Sequence, residues 1–251
     1  MSSVSRPRSP RRRLVAVLVA VVAVTATACQ RVPQRTYDAT RPSPLSATYL
    51  TNDPGDQFIV SGSPGWFRAS APSTNRQANT RLLVWPYAQP MAVDQQVCST
   101  WSDQVGPNVQ QGLALRVRRD GGRLRAVTVM KNVVWGAQWA FNVITWDTAD
   151  PTLWRVRGAV SLPAVFYRHP PTIDPLPWRV CARAEGSVVR LKAWRLAERE
   201  PAWGDASHGG AIALTPGWTF EGKAGWYVGH LPPGGSARFT DLTVDRLVTI
   251  G

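Results

Sequence analysis

Gly112-Leu113-Ala114-Leu115-Arg116-Val117-Arg118-Arg119, then Asp120-Gly121-Gly122, then Arg123-Leu124-Arg125-Ala126-Val127-Thr128-Val129-Met130, is the stretch that decides the fold. Strand-forming residues stand on both sides of an Asp-Gly-Gly turn, whose glycines tolerate the positive φ that a tight hairpin needs. The same pattern recurs where Trp178 to Ala184 and Ser187 to Leu196 flank Glu185-Gly186. There Val189, Leu191 and Ala193 share one parity while Arg190 and Lys192 share the other, which predicts one apolar and one polar face. Ser236 to Val248 reads as a last long strand, and its apolar phase shifts between Phe239 and Leu242, predicting a bulge near Thr240-Asp241. Long helical periodicity is absent, and at most a short helix fits Asp94 to Gln104. The pattern predicts an all-β fold, a two-sheet antiparallel β-sandwich.

Outward from that core the chain divides into three parts. Arg6, Arg8 and Arg11-Arg12-Arg13 precede an apolar run from Leu14 to Thr25, which ends in Ala26-Thr27-Ala28. A basic start, a short apolar core and a small-residue exit make residues 1–28 a secretory signal, too short for a spanning helix. Cys29 directly after Ala28 resembles a bacterial lipobox, which implies lipid attachment (palmitate among the acyl chains) on Cys29 and a lipoprotein on the extracytoplasmic face of the cell membrane. An ordinary signal peptide with an incidental cysteine is the alternative. Arg12-Arg13 also admits a twin-arginine route, so the choice between that and general secretion stays open. Residues 29–44, with Pro33, Pro42 and Pro44 among polar neighbours, read as a flexible tether, and 45–251 as one domain without repeats.

The formal charge of +13 falls to +8 once the five arginines before Cys29 are removed. Arginine outnumbers lysine heavily, and the basic residues cluster only in the two arms of the first hairpin. Those arginines are expected on exposed faces, either as solvated side chains or toward anionic head groups or wall polymers. Nucleic acid is not an expected partner of an exported chain. Cys98 and Cys181 remain once Cys29 is assigned to lipid, an even pair in an oxidising compartment, and are expected to form a disulfide.

Leu191-Lys192-Ala193-Trp194 followed by Glu200-Pro201-Ala202-Trp203-Gly204-Asp205 resembles the penultimate-strand region of bacterial LamG-like jelly-roll domains. Gly222-Lys223-Ala224-Gly225-Trp226-Tyr227-Val228-Gly229 and Phe239-Thr240-Asp241-Leu242-Thr243-Val244 are similar to the closing strands of the same concanavalin A-like lectin/glucanase fold. The likeness covers 112–251 well and 45–111 faintly, and it implies a jelly roll shared by lectins, binding modules and glucanases. The glucanase branch needs paired carboxylates on one strand. Glu198-Arg199-Glu200 has the spacing but lies beside a Pro turn, so a glycosidase is the third reading and no catalytic residue is assigned.

Twelve tryptophans are the most unusual feature of the body. Indole faces suit the C–H faces of sugars, although most of the twelve are expected in the core, Trp178 and Trp194 near the disulfide. The densest run, 131–147, nominates Trp135 and Trp139, with Asn132 and Asn142 as hydroxyl-bonding neighbours, for carbohydrate binding. His169, His208 and His230 have no metal-ligand spacing, and His230 is expected to bond backbone at a strand end. No metal site and no cofactor are assigned. Some LamG-like domains bind calcium through Asp and backbone oxygens, and Asp147, Asp150 and Asp205 are conceivable ligands that turn formation explains equally well. The reading is a membrane-anchored, non-catalytic protein binding carbohydrate or cell-wall glycan. The alternative is a structural or protein-interaction envelope lipoprotein without a sugar site.

Overall fold

The computed structural model describes residues 30–40, 43–63, 65–76, 79–133 and 137–250. Along the chain run β1 (Gln30–Tyr37), β2 (Leu45–Thr51), β3 (Ile59–Ser63), β4 (Trp66–Ser70), β5 (Arg81–Pro86), β6 (Gln95–Val105), β7 (Gln110–Asp120), β8 (Arg123–Lys131), β9 (Ala140–Asp147) and β10 (Trp154–Ser161). A single helical turn, α1 (Pro163–Phe166), precedes β11 (Trp178–Glu185), β12 (Val188–Arg195), β13 (Gly209–Ala213), β14 (Lys223–Gly229) and β15 (Ser236–Ile250). All named pairings are antiparallel, in two sheets: β13-β12-β11-β6-β15-β4-β3, with β1 also on β15, and β10-β9-β8-β7-β14-β5-β2. The sandwich expected from the sequence is the fold.

Each expected hairpin forms where its turn chemistry placed it. Gly121 (φ 56°) turns β7 into β8, and Gly186 (φ 54°) turns β11 into β12. Inward parity builds the main core: Val97 and Trp101 of β6, Val180 and Ala182 of β11, Val189 and Leu191 of β12, against Leu113, Val127, Val143 and Trp226 of the facing sheet. Phe67, Trp226 and Phe239 stack across its middle. Along one side β10 and β13 nearly touch. A Cβ on Gly158 would meet Ile212 at 2.7 Å and one on Gly210 would meet Val160 at 2.8 Å, so these glycines let the sheets close on each other. The bulge foreseen in β15 is present, with the register slipping between Thr240 and Thr243 and Asp241 at φ 55°.

Three expectations need correction. Asp94 to Gln104 does not hold a helix; it is β6, a central strand whose Cys98 and Thr100 point outward while Val97 and Trp101 point inward. The tether is not loose over its first half, because Gln30–Tyr37 pairs with Val244–Ile250 from Gln30↔Ile250 to Tyr37↔Val244. Pro33 is tolerated there because β1 is an edge strand. Arg116 is not on an exposed face: a register slip between Leu115 and Arg118 turns it inward at φ 51°, fully buried. Its guanidinium donates to the carbonyls of Val93 (2.9 Å), Trp218 (2.6 Å) and Gly186 (2.6 Å), so three loops hang on one side chain.

Cys98 and Cys181 sit opposite each other on β6 and β11 and are bonded, the disulfide expected from their number. Trp194 packs on the bridge as foreseen, whereas Trp178 lies in the main core. Residues 1–29, with the signal and Cys29, lie outside the described residues.

Candidate functional site

Of the four residues nominated for sugar binding, three lie among the described residues and have different surroundings. Trp135 lies outside the described residues. Trp139 stacks on Tyr167 with ring centroids 4.0 Å apart and packs against the main core. Asn132 is half-buried and its backbone N–H donates to Ala140 O at 2.8 Å, extending the β8–β9 ladder by one bond. Asn142 shares the parity of Ile144 and Trp146, which belong to a second apolar cluster on the outer face of the seven-stranded sheet.

That outer face holds a buried aromatic cluster that the sequence reading, which nominated Trp135 and Trp139, did not name. Leu83 of β5, Tyr227 of β14, Ala114 of β7, Ala126 of β8 and Trp146 of β9 are all buried there, across five neighbouring strands. The reason is a size pattern. Ala126 stands opposite Trp146, and Ala114 lies on the next strand, so the small residues leave room for the indole to lie flat across the sheet. Its Nε1 donates to Thr128 Oγ1 at 2.8 Å. Three strand spacings, about 14 Å, separate β9 from β14, yet the Trp146 and Tyr227 rings are 6.2 Å apart. Arg81 brings its guanidinium carbon to 5.9 Å from the Trp146 ring, and its Nη2 lies 2.9 Å from His230 Nε2. Tyr227 OH donates to Gln110 Oε1 at 2.6 Å, and burial pushes the phenol pKa up, partly opposed by the Arg81 charge.

Over this floor stands Trp154. It opens β10 opposite Trp146, with ring centroids 6.3 Å apart, and is 41% exposed. Val156, two residues along the same strand face, is also exposed. A half-exposed indole backed by a buried one, which Arg81 also approaches, is a surface able to stack a flat ring. Sequence reasoning passed over Trp154, although two tryptophans flank the turn-forming Asp147-Thr148-Ala149-Asp150-Pro151-Thr152 and so were placed to meet across a hairpin.

The remaining polar candidates are engaged elsewhere. Glu198 accepts from Arg195 and its pKa is held low chiefly by that bond, while Glu200 accepts from Lys192 Nζ at 2.6 Å. Asp147 accepts from Arg123, which holds its pKa down; Asp150 is lowered first by the Thr152 N–H and then by Arg155. Asp205 caps its own turn through Ser207 and bonds His208. Among the described residues no group of three His, Cys, Asp or Glu side chains could hold a metal ion. The His230 ring meets Arg81, with Nε2 2.9 Å from Arg81 Nη2, and its main-chain N–H donates to Thr80 O at 3.3 Å beside the end of β14.

No protein-family model matches the chain, and no curated protein matches it. Among solved structures it is similar to a protein of unknown function with a galectin-like fold from Bacillus subtilis, at 11% identity over 86% of this chain and 99% of that one, TM-score 0.50. It is also similar to the carbohydrate-binding module CBM66 from Bacillus subtilis, at 11% identity over 79% and 94%, TM-score 0.47. A third likeness is to the exoplasmic/lumenal domain of VIP36 in its Ca2+/Man3GlcNAc-bound form, at 10% identity over 82% and 85%, TM-score 0.47. The fold is a two-sheet jelly-roll β-sandwich, galectin-like in architecture, stapled by Cys98–Cys181.

Proposed function

We propose that this is a non-catalytic glycan-binding protein, lipid-anchored through Cys29 on the outer side of the cell membrane, that takes a carbohydrate or cell-wall glycan on the outer face of its seven-stranded sheet. The observation that carries the reading is Trp154, exposed above the buried Trp146 with Arg81 and Asn142 on the same sheet face. The jelly-roll fold, galectin-like in architecture, agrees with it. Lipid on Cys29 would place the anchor one residue before β1, so the domain would rest close to the bilayer with little slack. A structural or protein-binding role is favoured by one observation, the exposed Ile59 and Val60 on the edge strand β3.

The test is a glycan and cell-wall binding series with a soluble form beginning at Gln30, beside Trp154→Ala and Trp139→Ala. Saturable binding that Trp154→Ala weakens by about tenfold or more, and Trp139→Ala leaves in place, supports the sheet-face site. Loss with Trp139→Ala alone moves the site into the nominated run, at Trp139. A folded protein that binds no glycan moves the weight to a protein partner.

A further inference from the structure

The two sheets are joined at one end by a buried ammonium group. Lys131 closes β8 with the parity of Val127 and Val129, so its side chain enters the space between the sheets. There it is 1% exposed, and Nζ donates to Gln104 Oε1 of β6, in the opposite sheet, at 2.6 Å. The Trp178 ring centroid lies 5.6 Å from Nζ. Among the described residues no carboxylate comes within ion-pair distance of it. Burial without a counter-charge pulls its pKa down to about 7.

Lys131 opens onto a cavity of about 300 Å³, a volume at the small end of the range for small-molecule sites. Its walls divide by chemistry. Ile173, Leu176 and Trp178 make an apolar side, whereas Ser102, Gln104 and Gln138 offer neutral polar groups. Ser102 Oγ is buried and has no hydrogen-bond partner among the described residues, which leaves a donor and acceptor ready for a ligand. Two other charged groups face the cavity. Asp174 is already paired, its Oδ2 accepting from Arg168 Nε at 2.8 Å, and Asp103 is on the solvent side of β6. A desolvated amine, an orphan hydroxyl and two amides around one apolar wall fit a small molecule with one anionic end and several hydroxyls.

We propose that this cavity binds a small polyhydroxylated carboxylic acid of the uronate class, its carboxylate paired with Lys131 Nζ and its hydroxyls bonded to Ser102, Gln104 and Gln138. The site lies between the sheets and is independent of the aromatic outer face, so either stands without the other. Binding the anion holds the ammonium charged. Above the free amine's pKa it therefore takes up a proton, and affinity falls about tenfold per pH unit.

The experiment is calorimetric titration of the folded protein with D-glucuronate and D-galacturonate, with D-glucose as the neutral control, at about pH 6 and about pH 9. The expected result is saturable binding of at least one uronate, none of glucose, and weakening by about tenfold or more at the higher pH. Lys131→Met, of similar length and without charge, should lose the binding while keeping its melting transition. Ser102→Ala keeps the amine and should weaken binding about three- to tenfold, which reads out the site even if Lys131→Met fails to fold. Absence of uronate binding to the folded wild type overturns the proposal. An equal response to glucose, affinity independent of pH, or full binding by folded Lys131→Met overturns it as well.

Discussion

At Lys131 the folded chain holds in the interior an ammonium group that the unfolded chain leaves in water. Its pKa is about 7 folded against an ordinary 10.5, so between those values the unfolded state binds more protons. Stability therefore rises with pH across that window, levels off above it, and below it carries the full cost of the buried charge. That cost is on the order of 5 kcal/mol at most. Lys131→Met removes it, so the variant should be the more stable form at neutral pH, with the two converging as pH approaches 10. Denaturant unfolding at a series of pH values measures the difference, and parallel curves would mean the amine is not desolvated. Arg116 is the opposite case, a buried cation with three carbonyl acceptors. Arg116→Ala leaves those acceptors bare and should destabilise by about 3 kcal/mol, read as a lower denaturation midpoint. Alternation misplaces Arg116, and it gives Lys131 an inward parity without the partners that keep a lysine buried. Arg116 turns inward only because a bulge breaks the parity, and Lys131 is buried only because the opposite sheet ends in Gln104 and Trp178. Trp154 was readable in principle, but the run 131–147 was judged by density of aromatics and not by which side chains face each other.

Strands declared themselves where a local turn fixed both arms, as at Gly121 and Gly186, and stayed hidden where the partner is remote in sequence. The Cys98 and Thr100 positions of β6 mix small polar residues into an apolar alternation, because its outer face carries the disulfide and not solvent. Nothing in Gln30–Tyr37 favours a strand by itself; its reason is β15. That long strand pairs with β6 on one side, while β4 covers Ser236–Thr240 and β1 covers Val244–Ile250 on the other. Arg35 Nε also donates to Asp245 Oδ1 at 2.6 Å across that pairing. Removing β1 leaves a long open edge of unpaired N–H and C=O groups. A form beginning at Asp38 should melt lower and self-associate, whereas one beginning at Gln30 stays monodisperse; light scattering during a thermal ramp distinguishes them. The Cys98–Cys181 bridge spans 83 residues of sequence. Its reduction should lower stability by roughly 4–5 kcal/mol on the chain-entropy model, a fall of roughly 10–20 °C in Tm. A melt unchanged by reductant would show that the β6–β11 ladder holds without the bridge.

For the molecule as a whole, the all-β architecture was readable because two turn-fixed hairpins and a long last strand carry strand patterning and no long helical period competes with it, whereas the distribution of charge was not. The chain after Cys29 carries a net +8, and beside that excess several of its basic side chains are paired: Arg31 with Asp94, Arg35 with Asp245, Arg123 with Asp147, Lys192 with Glu200. The excess makes a positive field, with Arg118, Arg119, Arg123 and Arg125 gathered at the β7–β8 hairpin. Such a field attracts anionic surfaces weakly and is screened over about 8 Å at physiological salt. Stacking of a sugar on Trp154 draws on apolar contact and dispersion, which salt does not screen. The two modes of attachment therefore separate by ionic strength. The Gln30 form should co-sediment with anionic lipid vesicles in low salt and release them at about 0.5 M NaCl, while glycan binding at the sheet face persists within about twofold. Glycan binding that collapses in step with vesicle binding would mean the ligand is held by arginines and not by the indole, and Arg81 would replace Trp154 as the residue to substitute next.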